Sequence, residues 1–237
     1  MHTIDIPDHI RARAMRARGR DHIFERIDPA RTAHVVVDLQ NGFMAEGALA
    51  EVPTAREIVP DVNRIAAALR DAGGTNVFLR VTHDPAEPQP WTTRYTEYLS
   101  AERRAAHKEA FTRGAQPWQL WPLLDVRPND LIVDKTRFSA FVPGTCALHE
   151  KLEARGIDTL IVTGTVTNVC CESTARDAMQ RNYRVIFVAD GNAALSDAEH
   201  NATLCNMVTL FADVMTTEHV LAVIEAGKLA SKLRGAA

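Results

Sequence analysis

The chain has 237 residues, enough for one large domain, and its 46% hydrophobic and 24% charged residues are the balance of a soluble globular protein. A formal net charge of −3 supplies no field for DNA, RNA or an anionic membrane, and no apolar run reaches the roughly 20 residues needed to cross a bilayer. Four cysteines, Cys146, Cys170, Cys171 and Cys205, form neither a CxxC pair nor the Cys/His spacing of a zinc site; with no apolar secretory segment, a reduced cytoplasmic protein is expected.

Residues 1–30 read as an N-terminal arm. Up to Arg31 the chain holds seven arginines, interleaved with Asp5, Asp8, Asp21, Glu25 and Asp28. The acids argue against a transit peptide or a nucleic-acid arm, so an extended or short helical segment lying on the domain or on a neighbouring subunit is expected.

From residue 31 to 237 a single domain is expected. Short β-branched runs alternate with amphipathic segments: AHVVVD at 33–38, a helix at 55–73, NVFLRVT at 76–82, LIVDK at 131–135, a helix near 145–155, and TLIVTG at 159–164. A helix near 168–182, RVIFVAD at 184–190, a helix near 197–211, ADVMT at 212–216 and a last helix at 217–232 complete the series. Continuous apolar runs suit strands covered on both faces, and strand–helix alternation implies parallel pairing. The expected fold is three-layer α/β/α with a mostly parallel, roughly six-stranded sheet. Gly73, Gly74 and Gly156 stand where helix ends favour left-handed backbone, and Thr217 is a candidate N-cap. Residues 84–129 break the pattern: they hold Trp91, Trp118 and Trp121 with Tyr95 and Tyr98, and a segment of that length at strand ends suits a lid or pocket wall.

Ligands of open parallel sheets bind outside the carboxyl ends of the strands. Those ends carry Asp38, Thr82-His83-Asp84, Lys135, the turn from Gly164 to Cys170, and Asp190-Gly191-Asn192. If Thr167 or Asn168 caps the following helix, Cys170 lies in its first turn, where unpaired N–H groups and the helix dipole favour a thiolate. Cys171 is rotated about 100° away and in line with Ala175, Ala178 and Met179, the stripe expected against the sheet. A buried filler between strand and helix is the alternative for Cys170 and the preferred reading for Cys171; Cys146 and Cys205 read as core. A thiol nucleophile needs a proton acceptor, and Asp38 supplies one, with Lys135 as a cation beside both.

Three segments, VVVDLQNGF (35–43), DKTRFSAF (134–141) and TGTVTNVCCESTARDA (163–178), in this order and at these separations, resemble the isochorismatase-like cysteine hydrolases. That family includes nicotinamidases and hydrolases of carbamoyl and ureido compounds. The resemblance implies Asp38, Lys135 and Cys170 as catalytic residues, a cis peptide at Thr165–Val166, and an oxyanion hole from the N–H groups of Val166 and Cys170. It also implies a homo-oligomer, dimer or tetramer. Nicotinamidases usually carry an Asp-any-His metal pair after the second strand, whereas here Thr82-His83-Asp84-Pro85 follows it; no metal and no cofactor are expected. True isochorismatases lack the nucleophilic cysteine. The implied activity is therefore hydrolysis of a linear amide, carbamoyl or ureido group of a small molecule. A nicotinamidase-type or isochorismatase-type enzyme, a silent binding member of the family and a thiol redox protein are the alternatives. Gln40, Phe138 and Phe141 are expected to line the pocket. Trp91, Arg94 and Tyr95 are expected to close over it, with Arg94 or Arg137 as the holder of a substrate carboxylate.

Overall fold

A computed structural model describes residues 1–235 of the protein. Strands β1 (Thr32–Val37), β2 (Thr75–Val81), β3 (Leu131–Lys135), β4 (Thr159–Thr165), β5 (Arg184–Ala193) and β6 (Asp213–Met215) form one sheet in the order β3-β2-β1-β4-β5-β6. Every neighbouring pair is parallel. The helices are α1 (Asp8–Arg18), α2 (Asn41–Met44), α3 (Val59–Asp71), α4 (Thr92–Thr96), α5 (Ala101–Phe111), α6 (Leu148–Glu153), α7 (Glu172–Gln180), α8 (Asp197–Asn206) and α9 (Thr217–Gly235).

The two central strands, β1 and β4, are buried along their whole length, as their unbroken apolar runs require. Val35, Val37, Leu160 and Val162 join the core formed with α6, α7 and α8 on one face. Ile161 and Ile186 join α3 and α9 on the other. Because β1 is followed by β2 on one side and β4 by β5 on the other, the strand order reverses between β1 and β4, opening a crevice at their carboxyl ends. Gly164 makes the approach of these strands possible: its φ is +125°, and a Cβ there would stand 2.2 Å from the Val37 carbonyl oxygen.

Several local expectations are corrected. Gly73 is left-handed at φ +84°, but Gly74 is not; it is glycine because a Cβ would meet Leu69 Cδ1 at 2.5 Å and the Pro29 carbonyl at 2.8 Å. The hydroxyl that caps α9 belongs to Thr216, which accepts from His219 N–H at 3.3 Å; Thr217 instead donates its own N–H and hydroxyl to Asp190. Before α7 the chain makes a wide π-type turn, Thr167–Cys171, rather than starting an α-helix.

The arm lies on the domain, with Ile6 and Ala14 buried in its core. The segment between β2 and β3 contributes α4 and α5 and then runs back across the end of β1. There Asn41 N–H donates to the Gln119 carbonyl and Trp121 N–H to the Leu39 carbonyl, both at 2.9 Å. Trp118 is anchored by its indole N–H, which donates to Thr82 Oγ1 at 2.8 Å.

Candidate active site

Asp38 follows the last residue of β1 with φ +52°, a left-handed conformation that Asp tolerates better than most residues. The backbone then closes a tight turn, Gln40 N–H donating to the Asp38 carbonyl at 2.8 Å. Lys135, the last residue of β3, extends across the end of β2 to place Nζ 2.7 Å from Asp38 Oδ2, both side chains having no solvent exposure. The ammonium also donates to the Arg137 carbonyl at 3.0 Å. Lys135 acts on Asp38 first through its charge and then through a hydrogen bond, and the Cys170 thiol adds a further hydrogen bond to the carboxylate.

Cys170 completes the group from β4's side, and its thiol interacts with both Asp38 and Lys135. The peptide between Thr165 and Val166 is cis. Cys170 is 4% exposed, and it opens, with Val166 and Val169, into a cavity of about 600 Å³. Burial pushes its thiol up to about 12; Lys135 pulls it back and Asp38 adds to the push. This reverses the lowering expected from a helix N-terminus: loss of water outweighs the dipole of a single wide turn. Burial likewise raises the Asp38 carboxyl, against the opposing pull of Lys135. For Lys135 burial opposes the charged form, but Asp38 and Cys170 more than offset it, and its pKa rises. Burial thus favours a neutral thiol, while Lys135 favours the ionised form of Asp38. Cys171 is fully buried with Ala175 and Ala178, its thiol raised well above the ordinary range by burial, whereas Met179 at the end of that stripe is 41% exposed and leaves the sheet face.

Trp91, Arg94, Tyr95 and Phe138 line the cavity. Trp91 meets Phe138 edge-on at 4.7 Å between ring centroids, and the Arg94 guanidinium stands 5.5 Å from the Phe138 ring centre. Two expected wall residues do not belong to it. Gln40 is buried, its amide donating to the Val81 and Trp118 carbonyls at 3.0 and 2.7 Å and accepting from Val81 N–H at 2.8 Å. It ties the lid segment to β2. Phe141 is buried against Tyr183, with ring centroids 5.5 Å apart, under α7. Arg137 lines an adjoining cavity of about 320 Å³ with His83 and Asp84, which contains none of Asp38, Lys135 and Cys170. Among the described residues no group of three or more His, Cys, Asp or Glu is arranged to hold a metal.

Phe43, Arg103, His107 and Leu195, which no strand-end or motif position marks in the sequence, also face the main cavity. Arg103 and His107 are four apart on α5, so their shared face was readable once that helix was assigned. His107 is held to about 4 by burial and then by Arg94, so it is neutral. No ion pair engages Arg94 or Arg103 among the described residues.

A parallel sheet whose switch point gathers a carboxylate, an ammonium and a thiol, the thiol facing a cavity, has the fold of the isochorismatase-like hydrolases. The Isochorismatase domain family matches residues 32–219, and the chain belongs to that family. It is 31% identical over 221 residues to the ureidoacrylate amidohydrolase RutB of Pseudomonas savastanoi pv. phaseolicola, covering 88% of both chains. The enzyme of the same name from Methylobacterium radiotolerans is 32% identical over 225 residues, covering 88% of this chain and 86% of its own. A crystal structure of a cysteine hydrolase from Pseudomonas syringae pv. phaseolicola superposes with a TM-score of 0.77 at 30% identity, over 88% of this chain and 99% of that one. The protein is accordingly a hydrolase of non-peptide carbon–nitrogen bonds, an amidohydrolase. No helix among the described residues is long and apolar enough to cross a membrane.

Proposed function

We propose that the protein is a cysteine amidohydrolase that releases ammonia from a small carbamoyl, ureido or linear amide compound through an acyl-enzyme on Cys170. The observation that carries this reading is the solvent-free Lys135–Asp38 pair, 2.7 Å apart, set against a thiol that opens into a cavity of substrate size.

The thiol rests protonated, so attack and deprotonation are coupled. As Cys170 Sγ bonds to the carbonyl carbon, its proton passes to Asp38, and the N–H groups of Val166 and Cys170 receive the developing oxyanion. Collapse of the tetrahedral intermediate breaks the C–N bond; Asp38 returns the proton to the nitrogen and ammonia leaves. Water then attacks the acyl carbon bound to sulfur, Asp38 takes a proton from the water and passes it to the departing Cys170 sulfur, and the acid product leaves. Lys135 keeps Asp38 ionised between these transfers.

The aromatic walls, Trp91, Tyr95 and Phe138, suit a flat conjugated or ureido substrate, and the unpaired guanidinium of Arg94 suits a carboxylate at its far end. Relatives named ureidoacrylate amidohydrolases make a ureido acid the first compound to try. The test is a panel of ureido acids, carbamoyl amino acids, neutral ureas and aromatic amides scored for ammonia, with mass spectrometry of acid-quenched enzyme. A substrate-derived mass on Cys170 is expected. Ammonia release that persists in Cys170→Ala refutes the mechanism.

A further inference from the structure

Behind the cysteine turn lies a chain of contacts that the reaction does not itself use. His200, on α8, has no solvent exposure. Its Nε2 lies 3.0 Å from the Ala189 carbonyl, an acceptor only, so Nε2 carries the hydrogen. Nδ1 is then a lone pair, and it accepts from the Thr167 hydroxyl at 3.0 Å. Thr167 opens the turn that ends in Cys170 and Cys171, and it too is fully buried.

The ring of His200 is covered by the amino-terminal arm. His2 stacks on it with centroids 4.4 Å apart and planes 16° from parallel. His2 is fixed in turn: its Nε2 accepts from Ala194 N–H at 2.9 Å and its Nδ1–H donates to Asp197 at 2.7 Å. The arm is held on α8 by a two-way clasp, in which Asp5 N–H donates to Asn201 Oδ1 and Asn201 Nδ2 to the Thr3 carbonyl, both at 2.8 Å.

We propose that His200 is a positioning residue for the cysteine turn, locking the Thr167 hydroxyl and so the placement of Cys170, and that His2 of the arm, by covering the ring, keeps His200 dry and neutral in the tautomer that the Ala189 carbonyl selects. The proposal rests on Cys170 being the attacking atom. A protonated His200 would present a hydrogen at Nδ1 and reverse the bond to Thr167. The groups facing it are His2 from the arm, Asp197 from α8, the Thr167 hydroxyl and the Ala189 carbonyl. Burial holds it near 4, with the Ala189 carbonyl and Asp197 pulling the other way, so it stays neutral under ordinary conditions.

The test compares His200→Ala, His200→Asn and His2→Ala with the parent. Turnover is followed on the best substrate of the panel, Cys170 alkylation by iodoacetamide at pH 8, and imidazole titration by NMR. His200→Ala is expected to lower kcat about 100-fold, the usual effect of a reacting group displaced by about 1 Å, with KM changed by less than about threefold. Cys170 alkylation should change alongside it. His200→Asn, which keeps one donor and one acceptor, should recover part of kcat. His2→Ala should bring an acid limb into kcat that moves toward about 6.5, the ordinary histidine value, and the NMR titration of His200 should follow it. Should His200→Ala fail to fold, His200→Asn and His2→Ala carry the comparison. Variants that stay folded with the parent's kcat, pH profile and alkylation rate overturn the proposal, as does a loss of stability alone. If the parent releases no ammonia from any compound, the reaction assignment fails, while alkylation and titration still decide this one.

Discussion

The floor and the roof of the cavity are built on opposite plans. The floor, where Cys170 meets the cavity with Asp38 and Lys135 packed behind it, sits at the ends of three strands of one sheet, nearly or wholly without solvent exposure. The roof, Trp91, Arg94, Tyr95 and Arg103, sits on short helices joined by loops, half-buried or exposed, and is held by ring contacts and cation–π approaches. The chemistry needs groups held to a fraction of an ångström, which paired strands provide; the residues that face a substrate stand instead on a loop-connected segment, where binding residues of such folds are commonly placed. Substitutions in the floor should therefore abolish turnover or unfold the protein, and those in the roof should retune it.

The largest effect tests the floor directly. Cys170→Ala is expected to lower kcat by about 10⁴-fold or more, as loss of a nucleophile does in other hydrolases, while Cys171→Val, a change inside the packed stripe, should alter it by less than about threefold. Equal loss in both, with fold intact, would remove the distinction between the neighbours. Next comes stability. Lys135→Ala strands a buried carboxylate and is expected to cost about 3–5 kcal/mol in denaturant unfolding, whereas Arg94→Ala should stay within about 0.5 kcal/mol of the parent. A roof variant that unfolds as readily as a floor variant breaks the comparison. Third, Arg94→Ala should raise KM for a carboxylate-bearing substrate about 10- to 100-fold, the worth of a charged hydrogen bond of about 1.5–3 kcal/mol. It should leave a neutral amide of the same length nearly unchanged, and parallel losses on both would mean that Arg94 holds the lid rather than the ligand.

The smallest effect is on pH. Asp38 acts as base only when ionised, and its pKa is raised by burial, so the acid limb of kcat/KM should lie above the ordinary aspartate value of about 3.9. On the alkaline side Lys135 is raised and the thiol stands at about 12, so no descending limb is expected below about pH 10. A fall in rate beginning near pH 8 in a pH–rate series would instead mean that one of these groups loses a needed proton well below the range its burial implies.

The sheet was legible because its strands are nearly pure apolar runs, and the floor was legible because each of its residues follows such a run directly. What failed depended on rotations too local for a pattern to carry. Gln40 follows Asp38 by two residues, yet the tight turn after Asp38 swings its amide onto the Val81 and Trp118 backbone. Phe141 lies three residues beyond Phe138, but only Phe138 reaches the cavity. The opposing pull of burial on the thiol was not legible, because a helix N-terminus is visible in sequence and complete burial is not. The link from His2 through His200 to Thr167 joins segments more than 30 and 160 residues apart, and no single window of sequence contains it.

Because the Lys135–Asp38 couple carries no net charge and meets no solvent, counter-ions in the surrounding medium have nothing there to screen. Dependence on ionic strength is then expected from the charges around the cavity, Arg94, Arg103 and Glu51 among them, so titrating with sodium chloride bears on capture of the substrate more than on its cleavage.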